Sequence, residues 1–458
     1  MDDKASLSRT LANFAATLRL EDVPAGIRER ARLHILDSLG IAMASGGYDF
    51  AAVTLKALQG LGGSGSHAVI GFSEGLPLRD AVAMNGLLVH GLDYDDTHTA
   101  SVVHTSAGIF PAAFGLACEH GLDGRDLLAA YIIGVETSAR IGAAAGGAFH
   151  KAGFHPTGVV NAFGAVLAAG RLTGLSTDQL VDAQGIALSM ASGGLEFLSD
   201  GAWTKRLHPG WAAMAGVTAA AFAKAGFKGP SQAYEGRFGL FKTYAAGATF
   251  DATFFERLGD DWETGKVAIK PFPACHFNHA FIDAALALRD EVDPGAITGI
   301  TALVPAGIVD VVCEPQAAKH APQSAYEAQF SLQYAVATAL LRGRFTLDEL
   351  EPPARTDPRA AALAGKVSYI LDPDSPYPRY YSGELVIAMT GGREIRHRES
   401  INRGADARPL SAADIVEKYR ANAGRRFGPD RVERLLAVVM DLEKQPDMAA
   451  LRQALAAP

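Results

Sequence analysis

Long stretches of small residues in helical patterns are the feature that most restricts how this chain can fold. Alanine and glycine dominate residues 107–147, 159–176 and 212–230, and the apolar pattern in each stretch is that of a helix. Helices with small side chains at their contact faces can approach closely. The sequence therefore predicts a compact helical bundle with tight helix crossings.

The chain has 458 residues, too many for one ordinary core, so we expect two domains. The pattern changes near residue 265, after which strand-like and helical segments alternate. Residues 295–312 and the runs beside Gly391-Gly392 are interpreted as strands, the latter as a hairpin, and residues 327–343 as one helix. The tail is helical again. We predict a mainly α protein with an α+β part: a large all-helical domain (residues 1–268 and 402–458) and a smaller α/β lid domain (residues 269–401).

Composition limits the class of protein. Hydrophobic residues make up 48% and charged residues 20% of a chain with a net charge of −8, which argues against a nucleic-acid partner. The N-terminal segment has no signal-peptide core, and we expect no run to approach the length of a membrane span, so we expect no membrane partner. The three cysteines lack disulfide or metal-site spacing, which favours a cytoplasmic location.

Three aspartates and three histidines fall within residues 90–104, HGLDYDDTHTASVVH. Histidine beside aspartate can hold a proton near neutral pH, so this stretch is a candidate for acid–base chemistry. The competing interpretation is a helix end capped by aspartate, with solvated histidines beyond it. Metal binding by these residues is conceivable, but no ligand motif of fixed spacing occurs, and we expect no bound metal. The candidates are Asp93, Asp95, Asp96, His98 and His104.

Two further motifs precede predicted helices. GFHPTG places His155 at a helix entrance, where free N–H groups can help to bind an anion, although a simple turn also fits. TKRLHPG supplies Lys205, Arg206 and His208, a cationic cluster suited to carboxylates. The alternative for this cluster is a solvated basic face.

Near the predicted domain boundary, KPFPACHFNHAF clusters Lys270, Cys275, His276 and His279. Ligand clefts often form at such boundaries. A Cys275–His276 nucleophile pair is formally conceivable, but a structural cysteine is the default. Tyr334 lies on a strongly apolar helix and by itself would be interpreted as a core tyrosine.

The sequence resembles the MmgE/PrpD family at HGLDYDDTH, GFHPTG, TKRLHPGWAA, KPFPACHFNHAFIDA and EAQFSLQYAVA. That family includes 2-methylcitrate dehydratase, cis-aconitate decarboxylase and iminodisuccinate epimerase. The resemblance implies a helical domain built from both chain ends, an α/β lid, a homodimer, and activity without metal or organic cofactor. It also implies a pocket formed by Asp93, His104, His155, Lys205, His276 or His279, and Tyr334.

Family substrates are small di- and tricarboxylates, and the shared step makes or breaks a C–H bond next to a carboxylate. His104 or His155 would be the base, Asp93 would orient a histidine, and Tyr334, Lys205 or a second histidine would be the acid. The predicted substrate-binding residues are Asp96, Arg206, His208, His276 and His279. Among reactions we favour dehydration, with epimerisation or decarboxylation as alternatives. Two rivals are an inert polycarboxylate-binding protein and a metal-dependent hydrolase using Asp93, Asp96 and His98.

Overall fold

The computed structural model describes residues 6–199 and 201–455. Helices account for 59% of the chain and the one extended sheet is small, so the prediction of a mainly α protein with an α+β part is confirmed. The chain forms two compact units: residues up to Ile269 with those from Ser411 onward, and Lys270–Leu410. The second boundary thus lies nine residues beyond the predicted one, because Asn402 and Arg403 bond to side chains of the second unit.

The helices of the described residues are α1 (Leu7–Thr17), α2 (Ala25–Ser45), α3 (Asp49–Gly62), α4 (Leu78–His90), α5 (Thr105–His120), α6 (Gly124–Ala144), α7 (Ala148–Lys151), α8 (Pro156–Leu172), α9 (Thr177–Leu188), α10 (Thr204–Lys224), α11 (Leu240–Thr243), α12 (His279–Leu288), α13 (Gln316–His320), α14 (Ala325–Gln329), α15 (Leu332–Arg342), α16 (Pro352–Arg355), α17 (Pro358–Ala364), α18 (Ala412–Ala423), α19 (Pro429–Met440) and α20 (Ala449–Leu455). The strands are β1 (His67–Ala68), β2 (Gly75–Leu76), β3 (Thr97–His98), β4 (Val267–Ala268), β5 (Ile297–Val304), β6 (Val367–Leu371), β7 (Gly383–Met389) and β8 (Glu394–Glu399).

Helix α8 lies at the centre of the helical unit and packs on α5, α6 and α10, while α10 also packs on α4. Glycine makes the α4–α10 crossing possible. A Cβ added to Gly210 would lie 2.1 Å from the Ala83 carbonyl oxygen, and one added to Gly86 would lie 2.5 Å from the Cα of Gly210. The predicted tight crossings are therefore present. This crossing fixes the positions of the last turn of α4 and the first turn of α10, which carry site residues.

Helix α6 corrects the expectation that no segment approaches the length of a membrane span. Its 21 residues are long and apolar enough to cross one by length and composition alone. The whole apolar window is buried within the structure, and the helix contains an ion pair between Arg140 and Glu136. Burial of this kind is what a core helix shows.

The Lys270–Leu410 unit contains a four-stranded mixed sheet in the order β6-β5-β7-β8. Strand β5 pairs in parallel with β6 and antiparallel with β7, and β7 and β8 form the predicted hairpin at Gly391-Gly392, both with positive φ. Two predictions were wrong. Residues after Pro305 form helical turns rather than a strand, since Ile308 and Val312 bury one helical face. Residues 327–343 form two helices, because Ser331 caps the start of α15.

Candidate active site

The acidic loop between α4 and α5 is folded into the interior of the helical unit. Every residue from Gly91 to His98 is buried. Strand β3 in the loop pairs with β4, and His98 forms a further bridge to Val103. The interpretation of solvated histidines beyond a capped helix is therefore wrong, since His98 and His104 are only 1% and 7% exposed.

Asp93 joins the loop to the basic motif at the start of α10. Its φ of +50° lies in the left-handed region, which is uncommon for a residue other than glycine. Its carboxylate is 2.8 Å from the Lys205 ammonium and 4.0 Å from Nε2 of His104. Such backbone strain persists only where surrounding contacts hold it, and it is often found at functional sites. Asp93 thus places a cation and a histidine next to each other, as predicted for the pocket.

The hydrogen bonds of His104 determine which ring nitrogen carries the proton. Nδ1 is 2.8 Å from the Asp96 carbonyl oxygen, which can only accept, so we assign the proton to Nδ1. In the neutral ring Nε2 then carries the lone pair, and it lies 4.0 Å from the Asp93 carboxylate. Helix α8 fixes the backbone of His104. The His104 amide donates to Thr157 Oγ1 at 3.1 Å, and the His104 carbonyl accepts from the Asn161 side chain at 2.8 Å. These contacts hold the His104 ring and backbone in one orientation.

His155 and His208 form a second pair of rings. His155 is the residue before α8, and its Nδ1 lies 3.1 Å from Nδ1 of His208. The centres of the His155 and His104 rings are 6.0 Å apart. Burial holds the pKa of His155 well below its usual value, and the charge of Lys205, or of His90 whenever that ring is protonated, lowers it further. Burial and the same two charges lower the pKa of His208 to about 4. Both rings are consequently neutral at pH 7 and able to accept a proton.

Asp96 is directed away from this cluster. Its carboxylate accepts hydrogen bonds from the Ser106 hydroxyl and, at 3.2 Å, from the Ser106 amide. Ser106 also contacts the Tyr131 hydroxyl at 2.5 Å. Burial raises the pKa of Asp96 to about 7, against the opposing effect of the Ser106 hydrogen bond. These contacts anchor the start of α5, and none of them supports the predicted substrate-binding role of Asp96.

Arg206 and His98 also have internal partners. Arg206 donates from Nε to the Gly91 carbonyl at 2.8 Å, and its guanidinium lies 4.9 Å from the centre of the Phe50 ring. His98 lies between Ser101 and Glu263, at 2.9 Å from each. The set required by the hydrolase rival, Asp93 with Asp96 and His98, is therefore not brought together.

Two other groups of the described residues are compact enough to be tested for a metal. They are His90 with His104 and His155, and Asp93 with Asp95 and His104; within each group the nearest ligand atoms are at most 4.8 Å apart. The Lys205 ammonium, 2.8 Å from the Asp93 carboxylate, would repel a cation held by the second group. In the first group, Nδ1 of His90 and Nδ1 of His104 face oxygen acceptors, so Nε2 is the nitrogen that each ring can offer. The same nitrogens suit proton transfer between side chains.

The remaining candidates lie in the Lys270–Leu410 unit. The His276 and His279 ring centres are 4.7 Å apart, with His276 Nε2 accepting from the Asn402 amide at 2.9 Å. Nε2 of His279 is 3.1 Å from the Ala274 carbonyl, and the Tyr334 hydroxyl donates to the Glu349 carbonyl at 2.5 Å. Lys270 is buried and Cys275 is half-buried. The catalytic and binding roles of these residues stay predictions.

Sequence reasoning missed His90 as a site residue. It opens the stretch HGLDYDDTHTASVVH, but as the last residue of an apolar helix it was not among the candidates chosen from that stretch. Its Nδ1 lies 2.9 and 3.1 Å from the two carboxylate oxygens of Asp95, and its ring centre is 4.6 Å from that of His104. The spacing of His90 and Asp95 in HGLDYD was the available signal, but only the folded loop shows that they pair.

A buried cluster of histidines, aspartates and one lysine in a helical unit defines a site for acid–base chemistry. Two family models match: the MmgE/PrpD N-terminal domain over residues 9–253 and the MmgE/PrpD C-terminal domain over residues 272–444. The chain belongs to the MmgE/PrpD family, as its motifs predicted, and it is an enzyme of the lyase or isomerase class.

The chain is also similar in sequence to individual proteins of known name. Cis-aconitate decarboxylase of Mus musculus is 30% identical over 99% of this chain and 94% of its own length. Cis-aconitate decarboxylase of Aspergillus terreus is 26% identical over 99% of this chain and 97% of its own length. A 2-methylcitrate dehydratase of Cupriavidus necator is 32% identical, but over 25% of this chain and 26% of its own length.

Proposed function

We propose that this protein is a cofactor-independent acid–base enzyme that makes or breaks a bond to carbon next to a carboxylate in a small di- or tricarboxylate. The observation that carries the proposal is the meeting of two histidine rings, His104 and His155, with the Lys205 ammonium in one buried cluster, where burial holds the pKa of His155 well below its usual value. A carbanion next to a carboxylate is poorly stabilised in water, so an enzyme must supply both a base and a fixed positive charge.

Each member of the cluster has a role in this mechanism. Lys205 pairs with a substrate carboxylate and stabilises the charge that develops on it. Nε2 of His104 removes or returns a proton, and His155 serves the same purpose from another direction. Asp93 holds Lys205 in place at 2.8 Å before substrate arrives. His208 fixes the His155 ring through their 3.1 Å contact.

Decarboxylation of a cis-aconitate-type substrate is the first reaction to test. The relatives that match nearly the whole chain are named cis-aconitate decarboxylases, whereas the dehydratase match covers a quarter of it. This reverses our sequence-based preference for dehydration. In decarboxylation the carbon–carboxylate bond breaks, CO2 leaves, and the electron pair stays on carbon until a protonated histidine or the Lys205 ammonium returns a proton. Dehydration is the second candidate because of the local dehydratase match, and epimerisation is the third.

The decisive experiment is incubation of the purified protein with cis-aconitate, 2-methylcitrate and iminodisuccinate in D2O, followed by NMR. Loss of CO2 with deuterium entering the new C–H bond supports decarboxylation. New alkene signals support dehydration, and inversion with exchange at one carbon supports epimerisation. Binding without exchange or turnover would favour the inert binding protein instead. Stoichiometric zinc or manganese, with activity lost on chelation, would contradict the cofactor-independent mechanism.

The pH dependence of kcat/KM follows from the lowered histidine pKa values. A base acts in its neutral form, and the pKa of His155 lies well below 6.5 in the folded protein. We therefore expect kcat/KM to stay on its plateau as the pH falls through 6.5, and to decline only at lower pH, where His155 becomes protonated. A profile already half-reduced at pH 6.5 would contradict this assignment of the base. The measurement is kcat/KM between pH 4.5 and 8.5 in buffers of constant ionic strength.

We further propose that the protein is a homodimer and that it is cytoplasmic. The first proposal rests on the family resemblance. The second is supported by three cysteines that are all free thiols in the described structure, which suits a reducing compartment. Light scattering of the purified protein tests the dimer, and cell fractionation tests the location.

A further inference from the structure

A fully buried pair, His90 with Asp95, lies beneath the histidines assigned above. Both side chains are 0% exposed, and Nδ1 of His90 is 2.9 Å from the nearer carboxylate oxygen of Asp95. An ionised carboxylate only accepts hydrogen bonds, so Nδ1 donates to Asp95, and in the neutral form of the ring Nε2 carries the lone pair. Nε2 is itself buried, and it has no hydrogen-bond partner among the described residues. A buried base without a partner needs an explanation.

The surroundings of His90 point to proton exchange with the site. Its ring centre is 4.6 Å from that of His104 and 5.7 Å from that of His155, and one nitrogen from each of the three rings lies within 4.8 Å of the others. A single water molecule can span such a separation with hydrogen bonds. The titratable groups that face the pair come from four other elements.

His104 precedes α5 and His155 precedes α8, while Lys205 and His208 lie on α10 beyond His155. Asp37 of α2 interacts electrostatically with Asp95. His90 thus lies among histidines and carboxylates, with Lys205 paired to Asp93 and Lys418 paired to Asp37 as the neighbouring cations.

We propose that the Asp95–His90 pair is the proton store of the active site. The inference rests on the proposed function and names a step within it. In dehydration or epimerisation the substrate C–H bond breaks, and the proton passes to His104 or His155 and then to Nε2 of His90, while Asp95 remains ionised and balances the imidazolium. In epimerisation a proton then returns to the same carbon, and in dehydration it goes to the leaving hydroxyl group, which departs as water. In decarboxylation no C–H bond breaks: His90 gives its stored proton through His104 or His155 to the carbon that has lost CO2, and a proton from solvent water then reloads Nε2.

The electrostatics favour this route. A proton on His90 converts a buried carboxylate beside a neutral ring into a neutral pair, as happens when an aspartate supports a catalytic histidine. The positive charge of His90 also lowers the pKa of His155 and His208, which returns those rings to their neutral form. A proton held on His90 therefore leaves His155 and His208 neutral and able to accept another proton.

Asp95→Asn is the sharpest variant. The asparagine amide can donate to Nδ1, which moves the ring proton to Nε2 and removes the lone pair, while size and burial are kept. We expect kcat to fall about 10²-fold or more, with KM changed by less than about threefold. A rise in KM with normal kcat would contradict the proposal. Selective 15N labelling of histidine reads the ring state without any substrate: His90 should carry its proton on Nδ1 in the wild type and lose it in Asp95→Asn.

A cavity variant separates proton transfer from packing. In His90→Ala, added imidazole should restore at least about a tenth of wild-type kcat, whereas pyrazole, which has the same shape but is a much weaker base, should not. Equal rescue by both would mean that His90 only fills space, and rescue by neither would also overturn the proposal. His34→Ala, which deletes another fully buried histidine of the helical unit, should show no rescue by either compound. If the wild type turns over no polycarboxylate, the proposed function fails. If the 15N spectrum shows no proton on Nδ1 of His90, the proposal that the Asp95–His90 pair stores a proton fails independently.

Discussion

Replacing His104 or His155 with alanine is expected to lower kcat by about 10²–10⁴-fold, the range typical for loss of a general acid or base. His104 has a defined tautomer because the Asp96 carbonyl accepts its Nδ1 proton at 2.8 Å. His155 is held neutral by burial and by the nearby positive charges. Removing either ring takes away the group that moves the proton but leaves Lys205 to bind the substrate carboxylate. KM should therefore change less than kcat in both variants.

His120→Ala is the matched control for these variants. His120 is exposed at the far end of α5, the same helix that His104 precedes. Its removal should leave kcat and KM within about twofold of wild type, because exposed positions away from special features tolerate substitution. Rates near normal in both His104→Ala and His155→Ala, with the substrate that the wild type converts, would refute the assignment of the two bases.

The sequence was informative where chemistry-bearing residues stand in short motifs before helices. His104, His155 and Lys205 were predicted from such motifs, and the structure brings all three into one buried cluster because α4, α5, α8 and α10 pack around one centre. The Ala- and Gly-rich helical patterns likewise predicted the tight helix crossings. Small residues are compatible with close approach, and Gly86 beside Gly210 shows it directly.

Side-chain direction within the buried loop could not be predicted. Asp93, Asp95 and Asp96 look equivalent in the sequence, yet they contact Lys205, His90 and Ser106 respectively. The partner that each aspartate contacts depends on the positive φ of Asp93. Glycine is the residue type that adopts such a conformation routinely, so nothing in the sequence predicted it at an aspartate. The pairing of Arg206 with the Gly91 carbonyl has the same origin, since it requires the folded loop.

Lys418 on α18 shows how the end of the chain supports the site. Its ammonium lies 2.8 Å from the Asp37 carboxylate of α2, donates to the Tyr94 carbonyl at 2.9 Å, and is 3.9 Å from the centre of the Tyr94 ring. Lys418 and Asp37 are both buried. Tyr94 lies between Asp93 and Asp95 in the sequence, so the Lys418 ammonium fixes the backbone of the acidic loop through the Tyr94 carbonyl. A contact between residues so distant in sequence was not predictable from local patterns.

We therefore expect Lys418→Met to destabilise the protein by about 3–5 kcal/mol, the usual effect of removing one partner of a buried ion pair. The Asp37 carboxylate would remain buried without its counter-charge, and that penalty is larger than the net worth of the pair. Urea unfolding followed by circular dichroism measures the change. The exposed pair of Lys444 with Asp441 supplies the control, because Lys444→Met should change stability by less than about 1 kcal/mol.

The double variant Lys418→Met with Asp37→Leu distinguishes the two roles of Lys418. Replacing both charges by apolar side chains removes the unpaired carboxylate, so much of the lost stability should return. The hydrogen bond to the Tyr94 carbonyl would still be missing, and the loop that carries Asp93 and Asp95 would still lack its support. We expect kcat to stay reduced in a double variant whose stability has largely recovered. Recovery of both together would show that Lys418 acts on stability alone, whereas recovery of stability without kcat ties the C-terminal helix to the geometry of the acidic loop.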